Sequence, residues 1–284
     1  MEHPILILAE RYPQLKLRIC NGMHETEEYK SAVLRGEPVN AVPDFSFSEG
    51  DSLTSVTTPA GEAEVLFLSQ REDFEHFIRA IAYRCEDREI PRSMGASTLS
   101  GIVNWQKLHS HMEAYKAAGG TDEDGEFAAF TADRSNYRDT IIVLSYGGYS
   151  AVSAEKMNMD EEEWRERSVT IRKYHELTHF ISRRLFIENK DAVRDEVLAD
   201  MDGIIAAFGH YDTYAAKLFL GTEGETYREG GRLQNYVDVA ELPGLMARVN
   251  TMIDTLAEHV KDRDMADVFS LLCEIEKNKI CIDY

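Results

Sequence analysis

Short apolar runs and helical spacing define the elements of the first half of the chain. Runs of four to six largely apolar residues predict β-strands, and apolar positions three or four residues apart predict helices. The predicted strands cover 5–9, 15–20, 64–69, 127–131 and 140–145, and the predicted helices cover 73–87 and 102–115. The stretches 36–61, 93–101 and 121–126 predict loops or turns. This half therefore has the pattern of a mixed α/β region.

From residue 159 onward the spacing becomes mainly helical. The predicted helices cover 160–186, 191–209, 213–220, 242–261 and 264–277, with an irregular Gly-rich stretch at 221–231. Asp160 followed by Glu163 is typical of a capped helix start, because these carboxylates satisfy free backbone amides. The pattern predicts an α+β protein, divided into an α/β region with an edge strand at 1–158 and a helical region at 159–284.

The first of these helices carries the sequence His175-Glu-Leu-Thr-His179, an H-E-x-x-H motif. Residues four apart share one helix face, so the two imidazoles project about 6 Å apart and can bind one Zn²⁺. Glu176 projects about 100° around the helix, where it can take a proton from a metal-bound water. The motif predicts a metal centre with Glu176 as general base.

A third protein ligand is expected on the next helix. Glu196 lies about as far after the connecting turn as His179 lies before it, so an antiparallel hairpin brings them to the same height. Asp200, one turn beyond Glu196, can then accept the second ring N–H of a ligating histidine. Asp195 and Asp200 are alternative third ligands, but Glu196 is preferred because it leaves Asp200 to orient the histidine.

These residues resemble the gluzincins, the thermolysin-like zinc metallopeptidases, over about residues 169–203. The resemblance implies a zincin-like fold, in which a small mixed sheet lies beside the active-site helix. It also implies that His175, His179 and Glu196 bind one Zn²⁺, that Glu176 is the catalytic base, and that Asp200 supports a zinc histidine. The metzincin pattern is absent, because Ser182 and Leu185 stand where that class needs Gly and His.

Zincins usually bind an extended substrate along an edge strand near the catalytic helix. By analogy, 127–131, 140–145 or 146–149 is expected to supply that edge. A donor for the oxyanion is also required. Its candidates share a polar ring group in the second half of the chain, and they are Tyr146, Tyr149, His210, Tyr227 and Tyr236.

The composition of the chain argues against some kinds of binding partner. The 284 residues carry 31 Lys and Arg against 51 Asp and Glu, a net charge of −20, which would repel a nucleic-acid backbone. No apolar run is long enough to span a membrane, and the first residues lack the pattern of a signal peptide. Four widely spaced cysteines are typical of a reducing compartment. We therefore expect a cytoplasmic protein without nucleic-acid or membrane partners.

The leading interpretation is a zinc metallopeptidase or amidase that acts on a peptide or small amide. The first alternative is a regulatory or binding protein on a zincin fold, with a structural or vestigial metal site. The second is a chance motif in an acidic helical interaction protein without metal. His109 and His111, two apart on one helix, point to different faces and favour no second metal site. The sequence makes no prediction of oligomeric state.

Overall fold

The protein is described here by a computed structural model that covers residues 2–189, 191–224, 226–229, 231–263 and 265–281. It is an α+β protein, as predicted, with a small mixed sheet and a mainly helical second half. Contacts divide it into two compact units. The first is Met1–Thr54, Glu64–Arg92 and Ser97–Ser145, and the second is Ser55–Ala63, Ser93–Ala96 and Tyr146–Tyr284. The domain boundary at 158/159 stays a prediction, because clusters of contacts do not by themselves define folding domains.

The elements have the following bounds. The helices are α1 (Pro4–Arg11), α2 (Glu27–Tyr29, continued by a π-helical turn), α3 (Arg71–Ile81), α4 (Trp105–Ala117), α5 (Glu123–Ala132), α6 (Glu161–Leu185), α7 (Ala192–Phe208), α8 (Thr213–Leu220), α9 (Leu242–Val260) and α10 (Val268–Lys277). The strands are β1 (Ser52–Thr58), β2 (Gly61–Leu68), β3 (Ala96–Val103), β4 (Arg138–Ser145), β5 (Thr222–Glu223) and β6 (Thr226–Tyr227). No helix in these ranges is long and apolar enough to cross a bilayer.

The sheet has the strand order β1-β2-β4-β3. β2 and β4 run parallel, with Glu64 opposite Ile141 and Leu68 opposite Ser145. β4 is buried along nearly its whole length, as expected for a central strand. β1 and β3 lie at the two edges.

Several sequence predictions in this half were wrong, and the causes are local. Residues 5–9 form helix α1, because Pro4 stands at its start and the His3 ring accepts a hydrogen bond from the amide of Ile5. Residues 127–131 lie inside α5, whose first turn is capped by Asp122. Residues 15 and 16 belong to a 3₁₀ turn at Pro13–Lys16, and residues 17–20 form no strand.

Two strands were missed because they lack apolar alternation. β1 lies within the predicted loop at 36–61 and has mostly exposed Ser and Thr side chains. β3 lies in the predicted turn at 93–101, where small and polar residues obscure it. Edge strands are half solvated, so their sequences carry a weaker hydrophobic signal than central strands do. The strand at 64–69 and the strand at 140–145 are confirmed.

The second unit is organised around the hairpin of α6 and α7. Asp160 accepts a hydrogen bond from the amide of Glu163 at 2.8 Å, which confirms the predicted start of α6. Asp191 caps α7 through the amides of Val193 and Arg194, at 3.0 and 3.1 Å. These caps set where each helix begins.

Gly203 lets the two helices of the hairpin approach closely. A Cβ atom at this position would lie 2.8 Å from the Ile171 carbonyl oxygen and 2.9 Å from its Cγ2. Real Cβ atoms do not come so near backbone, so any side chain here would push α7 away from α6.

Asp202 lies at the same interface and is fully buried. Thr178 Oγ1 lies 2.9 Å from the Tyr174 carbonyl and 2.6 Å from Asp202 Oδ2, yet a hydroxyl has one proton to donate. A protonated Asp202 supplies the second proton. Burial raises the pKa of Asp202 well above its usual range, and the nearby charge of Glu276 raises it further. Asp202 is therefore a neutral donor in the folded protein.

We predict that Gly203→Ala destabilises the protein by about 1–3 kcal/mol, because the added methyl overpacks the hairpin. Gly244→Ala is the matched control, since Gly244 lies in helix α9 with nothing within 4 Å of its missing Cβ. It should be neutral or stabilise by up to about 1 kcal/mol. Urea unfolding of both variants measures the difference, and equal effects would contradict the close-approach account.

We also predict that Asp202→Asn gains stability over the wild type as pH rises. The wild-type carboxyl keeps its proton when folded but releases it on unfolding above about pH 4, so its contribution falls as pH rises. The asparagine releases no proton. The gap should widen between about pH 5 and 7 with a slope approaching ~1.4 kcal/mol per pH unit. A gap independent of pH in urea unfolding would show that Asp202 is ionised in the fold.

Candidate metal centre

The α6–α7 hairpin brings His175, His179 and Glu196 together at one point. The Nε2 atoms of the two histidines lie 3.1 Å apart. Glu196 Oε1 lies 3.3 Å from His179 Nε2, and Glu196 Oε2 lies 3.6 Å from His175 Nε2. Among the described residues, these three form the group of His, Cys, Asp and Glu side chains able to share one metal ion.

The separations between these ligand atoms are close to those around a tetrahedral zinc ion. Ligand atoms about 2.0–2.1 Å from a tetrahedral centre lie roughly 3.3–3.4 Å from one another. The three measured separations bracket that value. The donor set of two imidazoles and a carboxylate is also one that Zn²⁺ accepts in catalytic sites. The residues therefore fit a zinc ion in both spacing and chemistry.

The surroundings of His179 and Glu196 favour the protonation states that bind metal. His175 and His179 are 8% and 7% exposed, and burial lowers the pKa of His179, which favours its neutral form. Burial alone would raise the pKa of Glu196, but the hydrogen bond with His179 and the charge of Arg232 outweigh it. The pKa of Glu196 is thus held far below its usual range, and the side chain is a carboxylate.

Asp200 and Tyr149 orient the ring of His175 through contacts with its Nδ1 atom. Asp200 Oδ1 lies 2.9 Å from His175 Nδ1, on the side of the ring away from the other ligands. The Tyr149 hydroxyl donates to the same oxygen at 2.6 Å and also lies 2.9 Å from His175 Nδ1. With Nδ1–H directed at Asp200, Nε2 carries the lone pair that a metal needs.

Arg232 is a member of the centre that sequence reasoning missed. Its Nη1 donates to both oxygens of Asp200, at 2.9 and 3.0 Å, and to the Tyr149 hydroxyl at 3.0 Å. Its Nη2 donates to Glu196. One guanidinium therefore pairs with both carboxylates that flank His175 and offsets one of their two negative charges. The only signal available in sequence was an arginine just after the Gly-rich stretch 221–231, which does not point to a metal centre.

Two guanidinium groups lie near the ring of Tyr149. Arg232 Cζ lies 5.7 Å from the ring centroid and Arg172 Cζ lies 5.8 Å from it. Arg172 is anchored in turn by donating to the carbonyls of Gly147 and Gly148, at 2.6 and 2.9 Å. These contacts hold the tyrosine against the centre.

Glu176 lines the mouth of the centre. It borders a cavity of about 140 Å³ together with His175, Glu196, Arg172 and Arg232. Its charge lies close enough to His179 to act on the pKa of that histidine. The opposite wall includes the segment 93–96. Glu176 thus shares an accessible space with the candidate ligands, as the motif predicts.

Other sequence candidates lie in different places. Asp195 is outside the ligand group, and burial together with the charge of Glu276 raises its pKa to about 6. Tyr236 lies near Glu196, which with burial raises the pKa of the phenol. Tyr227 accepts a hydrogen bond from the Gln234 amide at 3.1 Å. Tyr146 and His210 are exposed, outside the residues that line the cavity.

The fold shows that two of the three segments expected to form the substrate-binding edge do not do so. Residues 140–145 belong to β4, which pairs on both sides and has no open edge. Residues 127–131 are helical. Residues 146–149 form a turn whose Tyr149 reaches the centre.

Fold and site together define an α+β protein with a candidate metal centre on a helical hairpin. The chain belongs to DUF7005, a family of unknown function, whose model matches residues 2–279. Comparisons with curated proteins and with solved structures found no match. None of these comparisons tests the resemblance to gluzincins, which stays a prediction.

We predict that Arg232→Gln destabilises the metal-free protein by about 2–3 kcal/mol, because Asp200 and Glu196 lose their shared counter-charge. Zinc should restore part of this loss by neutralising Glu196. Thermal unfolding after chelator treatment, repeated with added zinc, measures both effects. Arg232→Lys, which keeps the charge but loses the two-pronged contact, should fall between the wild type and Arg232→Gln. Equal unfolding temperatures for all three proteins would contradict the assigned role.

Proposed function

We propose that this protein is a zinc-dependent hydrolase of gluzincin type, most simply a metallopeptidase or amidase. The observation that carries the proposal is the cluster of His175, His179 and Glu196, whose Nε2 atoms lie 3.1 Å apart and 3.6 and 3.3 Å, respectively, from the two oxygens of Glu196. If the motif were there by chance, neither a third ligand at this spacing nor a carboxylate beside Nδ1 of His175 would be expected. The zincin-like arrangement and a cytoplasmic location, favoured by the scattered cysteines, belong to the same proposal.

Bound zinc would polarise a scissile carbonyl and lower the pKa of a water molecule towards ~7. Glu176 would take a proton from the attacking water and give it to the leaving amine. Asp200 and Tyr149 fix the ring of His175 and keep its Nε2 unprotonated. Each role falls on a side chain that borders the cavity or contacts one that does.

The geometry favours Arg232 as the group that stabilises the oxyanion. Tyr149 directs its hydroxyl proton at Asp200, so that tyrosine has no second proton to give. Arg232 lines the cavity, and a guanidinium has five N–H donors, of which the contacts with Asp200, Tyr149 and Glu196 leave some for a ligand. Its positive charge suits an oxygen that becomes negative in the transition state.

The cavity restricts what can enter. About 140 Å³ is smaller than the ~300–1,000 Å³ of typical ligand pockets. It admits the reacting amide and one small side chain, with the rest of any substrate outside. We therefore propose a peptide or small amide substrate with a small residue beside the cleaved bond.

The contact of Arg232 with Glu196 favours a second candidate function, a regulatory or binding protein with a structural or vestigial metal site. Arg232 compensates the carboxylates without help from a metal. In that case the hairpin would remain folded, and the motif would contribute stability without catalysis.

Hydrolysis of a quenched-fluorescent peptide library separates the two functions. The zinc-loaded wild type should cleave members of the library, whereas Glu176→Gln should retain one zinc and lose at least about 100-fold in rate, because only the base is removed. Glu166→Gln is the matched control, since Glu166 is an exposed glutamate on the same helix. It should cleave at the wild-type rate.

Absence of cleavage by a zinc-loaded wild type that unfolds cooperatively would favour the structural-site alternative. Cleavage that survives Glu176→Gln would contradict the assignment of the base.

A further inference from the structure

Two of the four cysteines, Cys20 and Cys85, are far apart in sequence but meet in the first unit. The backbone amide of Cys20 donates to the carbonyl of Cys85 at 3.0 Å, and both thiols are free in this structure. Residues that are hydrogen-bonded opposite each other in a sheet have Cα atoms about 5.5 Å apart, within the ~4.4–6.8 Å that disulfides span. The two backbones are therefore close enough for a disulfide.

The segments that carry these cysteines are also held together by the carboxylate of Glu86. The amide of Gly22 donates to Glu86 Oε2 at 3.0 Å, and His24 Nδ1 lies 2.6 Å from Glu86 Oε1. The hydrogen bonds from His24 and from the amide of Gly22 lower the pKa of Glu86 to about 2, so the carboxylate stays ionised at neutral pH. Residues 20–24 are thus fixed against residues 85 and 86.

The backbone of Cys85 is held in an uncommon conformation. Arg84 and Cys85 have φ values of 56° and 62°, in the left-handed region that non-glycine residues rarely adopt. The amide of Cys85 donates to the Arg79 carbonyl at 2.9 Å, so hydrogen bonds hold this residue through both its N–H and its C=O. Backbone conformations of this kind persist where the surroundings impose them, and they cluster at active sites and switches.

The two thiols have different surroundings. Cys85 is 0% exposed, and its Sγ lies 3.6 Å from the carbonyl oxygen of Gln14. Burial raises the pKa of Cys85 to about 12, and the Cys20 thiol lies close enough to raise it further. Cys20 is only half-buried, so a small molecule in solution can reach it. Cys20 is therefore the thiol that reacts first with a dissolved oxidant.

We propose that Cys20 and Cys85 form a reversible redox pair whose oxidant is a small disulfide of the glutathione type. The Cys20 thiolate attacks one sulfur of glutathione disulfide, which gives a mixed disulfide and releases one glutathione thiolate. The Cys85 sulfur then attacks the Cys20 sulfur and displaces the second glutathione, which takes up the proton that Cys85 gives up. In total, two protein thiols are oxidised and one glutathione disulfide is reduced to two glutathione molecules.

A pair of this kind suits a reducing compartment, where the disulfides that do form are usually transient and redox-sensing. The other two cysteines provide an internal control. Cys281 is buried and directs its Sγ at the Met252 carbonyl at 3.7 Å, and Cys273 lies on helix α10. The proposed pair uses none of the candidate metal ligands, so it is independent of the proposed hydrolase.

Mass spectrometry of the whole chain after equilibration with glutathione buffers tests the pair. Trypsin places Cys20 in peptide 19–30 and Cys85 in peptide 85–88, while Cys273 and Cys281 fall in two other peptides. As the ratio of glutathione disulfide to glutathione rises, a product of 19–30 linked to 85–88 should accumulate. Its mass is that of the two peptides less two hydrogens, and excess glutathione should reverse its formation.

Three variants test the order of the steps. Cys85→Ser should stop at the mixed disulfide and accumulate glutathione on Cys20, whereas Cys20→Ser should leave Cys85 unmodified because that thiol is buried. Cys273→Ser is the matched control and should form the same linked peptides as the wild type. Oxidation should also raise the temperature of thermal unfolding of the wild type, because the link restricts the unfolded chain, and should not raise that of either Cys20→Ser or Cys85→Ser.

Three results in the wild type would overturn the proposal. The first is the absence of linked peptides at every glutathione ratio, whether Cys20 stays free or keeps a bound glutathione. The second is a link that joins Cys273 or Cys281 in place of Cys20 and Cys85. The third is a link that forms only after the chain has been unfolded in urea, since the folded structure would then not bring the two thiols together.

Discussion

The close packing of α6 against α7 is the constraint on which the rest of the candidate centre depends. Gly203 lets the backbones approach at Ile171, and this contact fixes the register of the hairpin. With that register set, His175 meets Asp200 and His179 meets Glu196 across the interface. Local capping by Asp160 and Asp191 sets the helix starts, but the tight contact decides which turns face each other. The same packing that buries the core thus assembles the ligands.

The second requirement for this site is that the buried carboxylates on α7 be compensated by nearby charges or protons. The hairpin buries the carboxylates of Asp200 and Asp202 completely, and each is accommodated differently. Asp200 stays ionised, because Arg232, His175 and Tyr149 surround it and hold its pKa low against the effect of burial. Asp202 has no ion-pair partner among the described residues, and burial raises its pKa, which favours its protonated form. One residue type therefore accepts a hydrogen bond from His175 at position 200 and favours a protonated side chain beside Thr178 at position 202.

Most helices of the second half could be predicted from the sequence, whereas only two strands of the sheet could. His175, His179, Glu196 and Asp200 could be placed together because helices have a fixed rise and the intervening turn is short. The amphipathic helices of the second half are long enough to give a clear 3.6-residue period.

Short apolar runs are ambiguous between strand and helix, which is why α1 and the middle of α5 were taken for strands. Arg232 could not be foreseen, because no periodicity governs the irregular segment that carries it. The site residues that lie on regular helices could be predicted from the sequence. The side chains that loops bring to the site could not.

X-ray absorption at the zinc edge is the measurement that tests the central claim most directly. The account predicts one zinc per chain, bound by two imidazole nitrogens and further nitrogen or oxygen ligands at about 2.0–2.1 Å, without sulfur. His179→Ala should abolish the imidazole pattern. A protein that binds no zinc after equilibration with the metal, or a spectrum with sulfur ligands, would contradict the account.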